Sequence, residues 1–482
     1  MERRSEHVKN AIIVFLEALL LSLQATNTPL GIGGADADSA VFRYVSLVMD
    51  NGGMPYLDAF DHKGPLVYVI NLIGLHIDYW WGVWVLEFLA MAISLAAVYQ
   101  AARLLTGRTE SHLVSLLVCA VWATFLGGGN LTEEWGLPFI TVSGYLLLDY
   151  WINDRTSAVK VATCGCCFGA VMMIRPNMVV VWTVFCLAIM ARCVKRGRLG
   201  TIGAFVVQFF VGAAIVVLPF LLWLGSNNAI EAFVDDYFIF NFLYSSRGVG
   251  ILKRTHALLR FLKEPIVISS LVCCLCSLKR DKPLSVLLLA YLLLSLMAIG
   301  LSGQKFAHYG MVLLPPASLC IAAAMPQLRC WASRIDPYHA VTLGACACVA
   351  MSTLITLSDG ALVKVIDRPD HNLDGRVSEI ARVIQDNTMP EDLITVCGNE
   401  DVIYLASHRY SASRFSFQTV GKYNDSIQEG YFADIEANRP AAVVLPEKFI
   451  WEDRMIAYLT TNNYKYVGID SDEKTGVWLR DN

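Results

Sequence analysis

The sequence predicts a mostly α-helical, polytopic membrane protein of about eleven transmembrane helices, followed by a small α/β domain. Three observations carry this expectation. The 482-residue chain is 55% hydrophobic and only 17% charged, where soluble domains carry about 25% charged residues, and its mean hydropathy is +0.50. The apolar residues gather into runs of roughly 17–25 residues, the length that crosses a bilayer core. Beyond residue 360 those runs shorten to strand length. A net charge of -4 argues against a nucleic-acid partner. The partner that composition implies is the lipid bilayer.

The apolar runs lie near residues 11–27, 79–102, 112–127, 135–152, 158–174, 177–191, 201–224, 264–278, 284–301, 309–326 and 339–357. Each reads as a span by hydropathy. Residues 65–77 are apolar but short, so they read as a re-entrant or interfacial helix. Residues 11–25 read as an uncleaved first helix. With Arg3, Arg4 and Lys9 in the cytoplasm, the short loops on that side are basic. One holds Arg192, Lys195, Arg196 and Arg198, and another Lys279, Arg280 and Lys282. On the opposite side Gly127–Glu134 has no cation, as the positive-inside rule requires. An odd span count then places the C-terminal region outside. The expected division is a membrane domain over 1–358, with 28–78 as its first outer loop, and an extracytoplasmic α/β domain over 359–482.

In that last region Leu393–Cys397, Ala441–Leu445 and Tyr464–Ile469 read as strands, and Val377–Ile384, Ile427–Asn438 and Met455–Thr461 as helices. Alternation of the two is the signature of an α/β unit. Of the 14 cysteines, those of Cys164-Gly-Cys-Cys167 lack neighbouring histidines and read as helix packing rather than metal ligands.

Charge concentrates just after the first span. Asp36 and Asp38 precede Ser39–Met49, an amphipathic stretch with Val41, Tyr44, Val45 and Val48 on one side, and such a helix would lie along the membrane surface. Asp38 also suits the N-cap of that helix. Asn51-Gly-Gly-Met-Pro-Tyr56 is a sharp turn, after which Asp58-Ala-Phe-Asp-His-Lys-Gly-Pro65 enters the apolar segment. Lys63 thus stands at the membrane boundary, where an ionisable group needs a partner. Asp58 and Asp61 could pair with it locally, or it could meet a lipid phosphate. A second turn, Gly303-Gln-Lys-Phe-Ala-His-Tyr-Gly310, holds Lys305, His308 and Tyr309 ahead of Pro315-Pro316, and Arg175 is a third outer cation. Snorkelling and interfacial roles account for these equally well. The segment 226–263, with Asp235, Asp236, Tyr237 and Tyr244, has the composition of a substrate-covering loop or of a solvated surface helix.

Asp38, Ser39 and Phe42, then Gly53, Pro55, Tyr56, Asp58, Asp61, His62, Lys63, Gly64 and Pro65, resemble the first periplasmic loop of GT-C membrane glycosyltransferases. The likeness is closest to the bacterial lipid A aminoarabinose transferases and related lipopolysaccharide-core sugar transferases, with protein O-mannosyltransferases more distant. The Lys305–Pro315 segment is similar to that family's later His-Tyr loop. The resemblance implies a polyprenyl-phosphate sugar donor and inverting transfer on the outer face to a glycan, lipid or protein acceptor. A single carboxylate suffices as general base for direct displacement: Asp38 matches the family aspartate, with Asp36 in reserve. A cation must meet the departing phosphate, a role for Lys63 with His62, Lys305, His308, Tyr309 or Arg175, while Asp58 and Asp61 hold Lys63. No cofactor is called for. Two carboxylates two residues apart leave a divalent metal open, and no metal ligand is assigned. A transporter or flippase would keep its charges within the spans, whereas here Glu87 and Asp149 are the main interior charges. A polymerase or ligase for lipid-linked glycans is the other competing reading.

Overall fold

The computed structural model describes residues 2–32, 37–246, 250–332, 375–469 and 474–481. They fall into two compact units, one drawn from residues 1–25, 84–220 and 248–366 and the other from 26–83, 221–247 and 367–482.

The first unit is helical. Its elements are α1 (Glu2–Ser22), α4 (Gly82–Leu105), α5 (Arg108–Phe125), α6 (Thr132–Asn153), α7 (Ala158–Met172), α8 (Val180–Lys195), α9 (Leu199–Ser226), α12 (Ile251–Leu262), α13 (Pro265–Ser277), α14 (Lys282–Leu301) and α15 (Leu314–Ala332). Four helical stretches, Gly82–Leu105, Leu199–Ser226, Lys282–Leu301 and Ala307–Trp331, are long and apolar enough to cross a membrane. The 28 residues of α9 rise about 42 Å at 1.5 Å per residue. The chain is therefore a multi-pass membrane protein. Six further expected runs also fall on helices, but these are shorter or less apolar. The run at 339–357 lies outside the described residues. On α9, Val207, Phe210, Ile215 and Leu222 are exposed, an apolar surface of the kind that lipid covers.

Small residues set the helix spacing. A Cβ on Gly165 of α7 would stand 1.9 Å from the Phe209 carbonyl oxygen, and one on Gly212 2.0 Å from that of Ala162. Only hydrogen at these positions lets α7 and α9 cross so closely, the usual packing device of membrane helices. The Cys164–Cys167 run lies within this packing: Trp182 Nε1 donates to the Cys164 carbonyl at 3.0 Å.

The second unit holds α2 (Ala37–Asp50), α3 (Pro65–Ile77), α10 (Ile230–Phe233), a π-helical turn (Val234–Ile239), α11 (Phe240–Ser246) and the α/β region. The last comprises α16 (Gly375–Asn387), β3 (Leu393–Val396), α17 (Val402–Ser407), β4 (Tyr410–Ser411), α18 (Asp425–Asn438), β5 (Ala442–Pro446), α19 (Glu452–Thr461), β6 (Tyr464–Val467) and β7 (Thr475–Arg480). Strands β1 (Asn27–Thr28) and β2 (Gly31–Ile32) form a separate small ladder. The five-stranded sheet has the order β4-β3-β5-β7-β6, with β3 parallel to both neighbours and β7 antiparallel to β5 and β6. The expected strands became β3, β5 and β6. Strands β4 and β7 were not expected, the first because it has two residues and the second because Gly476 interrupts its pattern.

Helix α2 is buried by protein from Ser39 to Ser46. Tyr44 accepts the Ser411 N–H at 2.8 Å and lies 4.8 Å from the Tyr404 ring. Arg43, 2% exposed, donates to the Tyr79 carbonyl at 2.5 Å and faces the Trp80 ring at 5.2 Å. The apolar face that periodicity assigned to a membrane surface is thus covered by protein of the same unit.

Asp401 is a buried acid in the α/β region, fully shielded, with one oxygen taking the Ser416 hydroxyl at 3.3 Å. Burial pushes its carboxyl up to about 8, partly offset by Ser416 and reinforced by Asp61. The unfolded chain ionises near about 4, so the stability present below that pH is lost as pH rises toward 8. Asp401→Asn keeps the shape and removes the proton. Its melting temperature should exceed wild type at pH 8 by several degrees and match it at about pH 3, below the unfolded pKa. An equal difference at both pH values would contradict this account.

Candidate active site

The site is built on the turn after α2. Gly52 has φ +86°, a left-handed geometry that glycine adopts without strain. A Cβ on Gly53 would come within 2.6 Å of Val48 Cγ1, so the chain turns against its own helix. Tyr56, fully buried, has φ +71°, a costly geometry for a non-glycine residue that surrounding contacts must enforce. Those contacts are present: Tyr56 N–H donates to Ala59 O at 2.8 Å, and its hydroxyl donates to Lys63 O at 2.8 Å. Asp58 Oδ2 accepts the Met54 N–H at 2.6 Å, closing the loop on itself.

Asp61, His62 and Lys63 form a chain of contacts. Asp61 accepts the His62 N–H at 2.6 Å through Oδ1 and the Tyr68 hydroxyl at 3.0 Å through Oδ2. Lys63 Nζ donates to His62 Nε2 at 2.7 Å. That contact leaves the ring proton on Nδ1, 3.3 Å from Asp61 Oδ1. Asp61 is 2% exposed, and burial raises its pKa, with Lys63, the His62 N–H and Tyr68 lowering it and Asp38 raising it. Asp38 lies in the first turn of α2, inside the helix rather than capping it. It is close enough to act on Asp61 electrostatically, and among the described residues no side chain pairs with its carboxylate. Asp36 lies outside the described residues. Among those residues Lys63 makes no ion pair with Asp58 or Asp61; its ammonium contacts the His62 ring and acts on Asp61 through space.

Residues far along the chain hold the loop. Asn241 Nδ2 donates to His62 O at 2.6 Å, and Tyr244 stacks on the His62 ring at 5.9 Å. Phe60 N–H donates to Arg414 O at 2.7 Å. Arg414 Nη1 donates to Tyr56 O at 2.5 Å and to Asp236 Oδ2 at 2.9 Å. Burial lifts the Asp236 carboxyl to about 6, with Arg414 lowering it. Asp236 and Tyr244 fall in the stretch whose composition suited a covering loop. Arg414, Tyr68 and Asn241 gave no sequence signal.

In the helical unit Arg175 is engaged. It pairs with Glu133, donates to Thr132 Oγ1 at 3.3 Å and lies 4.5 Å over the Tyr309 ring. His308 stacks on Phe306 at 5.6 Å and meets Tyr309 edge-on at 4.9 Å, while Lys305 is exposed. Glu133, read only as part of a cation-free loop, is the missed partner. The structure therefore groups Asp38, Asp58, Asp61, His62 and Lys63 in one unit and Arg175, His308 and Tyr309 in the other.

The family model described as "Putative competence-induced protein Ccs4 N-terminal domain" matches residues 1–329. The chain belongs to this Ccs4 family. No curated protein sequence matches it. Among solved structures this Ccs4-family chain is similar to ArnT from Cupriavidus metallidurans bound to undecaprenyl phosphate. The identity is 14%, with 97% of each chain covered and a TM-score of 0.65. The apo form of that protein matches at 14% identity over 98% of each chain, TM-score 0.62. The oligosaccharyltransferase AglB from Archaeoglobus fulgidus, in complex with an inhibitory peptide and a dolichol-phosphate, is similar at 12% identity. That match covers 99% of this chain and 74% of that one, TM-score 0.51. The Ccs4-family chain thus has the GT-C fold that its first loop resembles.

Proposed function

We propose that this chain is an integral membrane glycosyltransferase that moves a sugar from a polyprenyl-phosphate donor to a cell-envelope acceptor on the outer face, with inversion. The observation that carries this reading is the Asp61–His62–Lys63 chain beside Asp38, whose carboxylate pairs with no side chain among the described residues, within a fold shared with proteins bound to undecaprenyl phosphate and dolichol-phosphate. Asp38 takes the acceptor hydroxyl proton as that oxygen attacks the anomeric carbon. The bond to the lipid phosphate breaks with its electron pair on the phosphate oxygen, where Lys63 meets the growing charge. Asp61, through His62, orients Lys63, and Asp58 fixes the turn. Lys305, His308, Tyr309 and Arg175 form a second candidate phosphate-binding set, and Asp36 stays the reserve base. The reading includes eleven spans, a cytoplasmic N-terminus and an outer region over 359–482. In a deletion strain, mass spectrometry should find an accumulated polyprenyl-phosphate sugar and an envelope polymer lacking that unit. Unchanged lipids and glycans would sink the proposal.

Arg414 is a positioning residue in this scheme. Arg414→Ala removes both the Tyr56 and Asp236 contacts, and misplacement of a reacting group by about 1 Å costs about 100-fold. The expected result is a 10- to 100-fold lower kcat with donor KM little changed, and Arg414→Lys should recover part of it. A wild-type kcat would remove Arg414 from the account.

A further inference from the structure

A groove of about 890 Å³ lies in the second unit between the turn after α2 and the edge of the sheet. Its volume is that of a ligand site. Polar groups reach it from Asn51, Asp58, Glu391, Asp434 and Asn438, with Tyr410 beside them. Resting on the transferase reading, we propose that this groove is a distal subsite for an uncharged glycan acceptor, which identifies the acceptor as an extended polysaccharide.

Three features select that class. The first excludes a peptide added as a strand. β4 is the sheet edge, but its outward donor is occupied, Ser411 N–H by the Tyr44 hydroxyl at 2.8 Å, and just beyond the strand Ser413 N–H is taken by Ser411 Oγ at 3.2 Å. An added strand needs those donors free. The second excludes an acyl chain, because carboxylates and amides interrupt the apolar wall formed by Val48, Leu57 and Leu393, and burying them against hydrocarbon is costly. The third excludes an anionic polymer. Asp58, Glu391 and Asp434 would repel it, and Arg414, the only cation of the lining among the described residues, is paired with Asp236. Sugar hydroxyls instead donate to carboxylates and amide oxygens, and the apolar face of a sugar ring packs on Tyr410.

The position fixes the length. Along α2 the lining runs from Tyr44, six residues beyond Asp38, to Asn51, thirteen beyond it, a rise of about 9 to 20 Å. An acceptor that reaches from the base to the far end of the groove must therefore span several units.

The test measures binding on the full chain in lipid nanodiscs. The probes are size-fractionated neutral envelope polysaccharide, its short oligomers, an anionic fraction and an extended peptide. The long neutral fraction should bind at least tenfold more tightly than the other three. Exposed-residue variant Asn51→Ala/Glu391→Ala and, separately, Tyr410→Ala should each weaken it about tenfold with melting temperature retained. Equal binding of long and short fractions, preference for the anion or peptide, or unaffected binding by Asn51→Ala/Glu391→Ala would overturn the proposal. Length-selective binding without any sugar transfer from lipid donors would instead refute the transferase reading while supporting the groove.

Discussion

Asp38→Asn should lower sugar transfer by about 10²- to 10⁴-fold while leaving membrane insertion and melting temperature at wild-type values. The range is the usual contribution of a positioned general base. Stability should hold because Asp38 sits in the first turn of α2 without a side-chain partner among the described residues, and substitutions away from cores, caps and networks change stability little. Asp61 is the informative contrast. Its carboxylate holds the His62 N–H and the Tyr68 hydroxyl from a buried position, so Asp61→Asn should disturb the loop and lower stability as well as rate. The measurement is transfer from a polyprenyl-phosphate sugar by purified protein, with melting temperatures recorded beside it. A wild-type rate for Asp38→Asn rejects it as the base. A larger loss for Asp36→Asn would move the role there.

Legibility in the sequence followed chain separation. The elements of the loop are contiguous: turn, carboxylates and Lys63 lie within 51–65, so their types and spacing could be read directly. Its internal wiring could not. An ion pair of Lys63 with Asp58 or Asp61 was one of the two readings open, the other being a lipid phosphate, but one Asp58 oxygen takes the Met54 N–H and His62 stands between Lys63 and Asp61. The contacts that hold the loop join Phe60 and Tyr56 to Arg414, and neither periodicity nor composition records pairing across such a separation. The same applies to α2. Its hydrophobic stripe was legible, but Arg43 and Ser46 on its other faces look polar in sequence and are buried by hydrogen bonds to Tyr79 O and Tyr68 O. Arg175 gave the converse case: its charge was plain, and its partner Glu133 lies 42 residues away. The helical framework was legible wherever runs were long. The Gly165–Phe209 and Gly212–Ala162 approaches that space α7 from α9 depend on which face each glycine occupies.

Lys63→Met should cost about 10²- to 10³-fold in kcat, the usual effect of removing one donor from a site of developing charge. The substitution keeps the length and apolar body of the side chain and removes only its ammonium. The loop should survive, because the Tyr56 hydroxyl donates to the Lys63 carbonyl oxygen at 2.8 Å, and the Tyr68 hydroxyl, whose one proton is shared with Asp61, lies 3.1 Å from it; neither contact involves the Lys63 side chain. Loss of the ammonium also removes the largest lowering influence on the Asp61 carboxyl, so Asp61 should take up a proton at a higher pH than in wild type. The readouts are therefore separable. Binding of undecaprenyl phosphate, followed by native mass spectrometry, should weaken in Lys63→Met and be insensitive to Asp38→Asn. Lys63→Arg should restore part of the binding but less of the rate, because a planar guanidinium cannot reproduce a compact ammonium held 2.7 Å from His62 Nε2. Lipid-phosphate binding and turnover both at wild-type level in Lys63→Met would remove the phosphate end of the site.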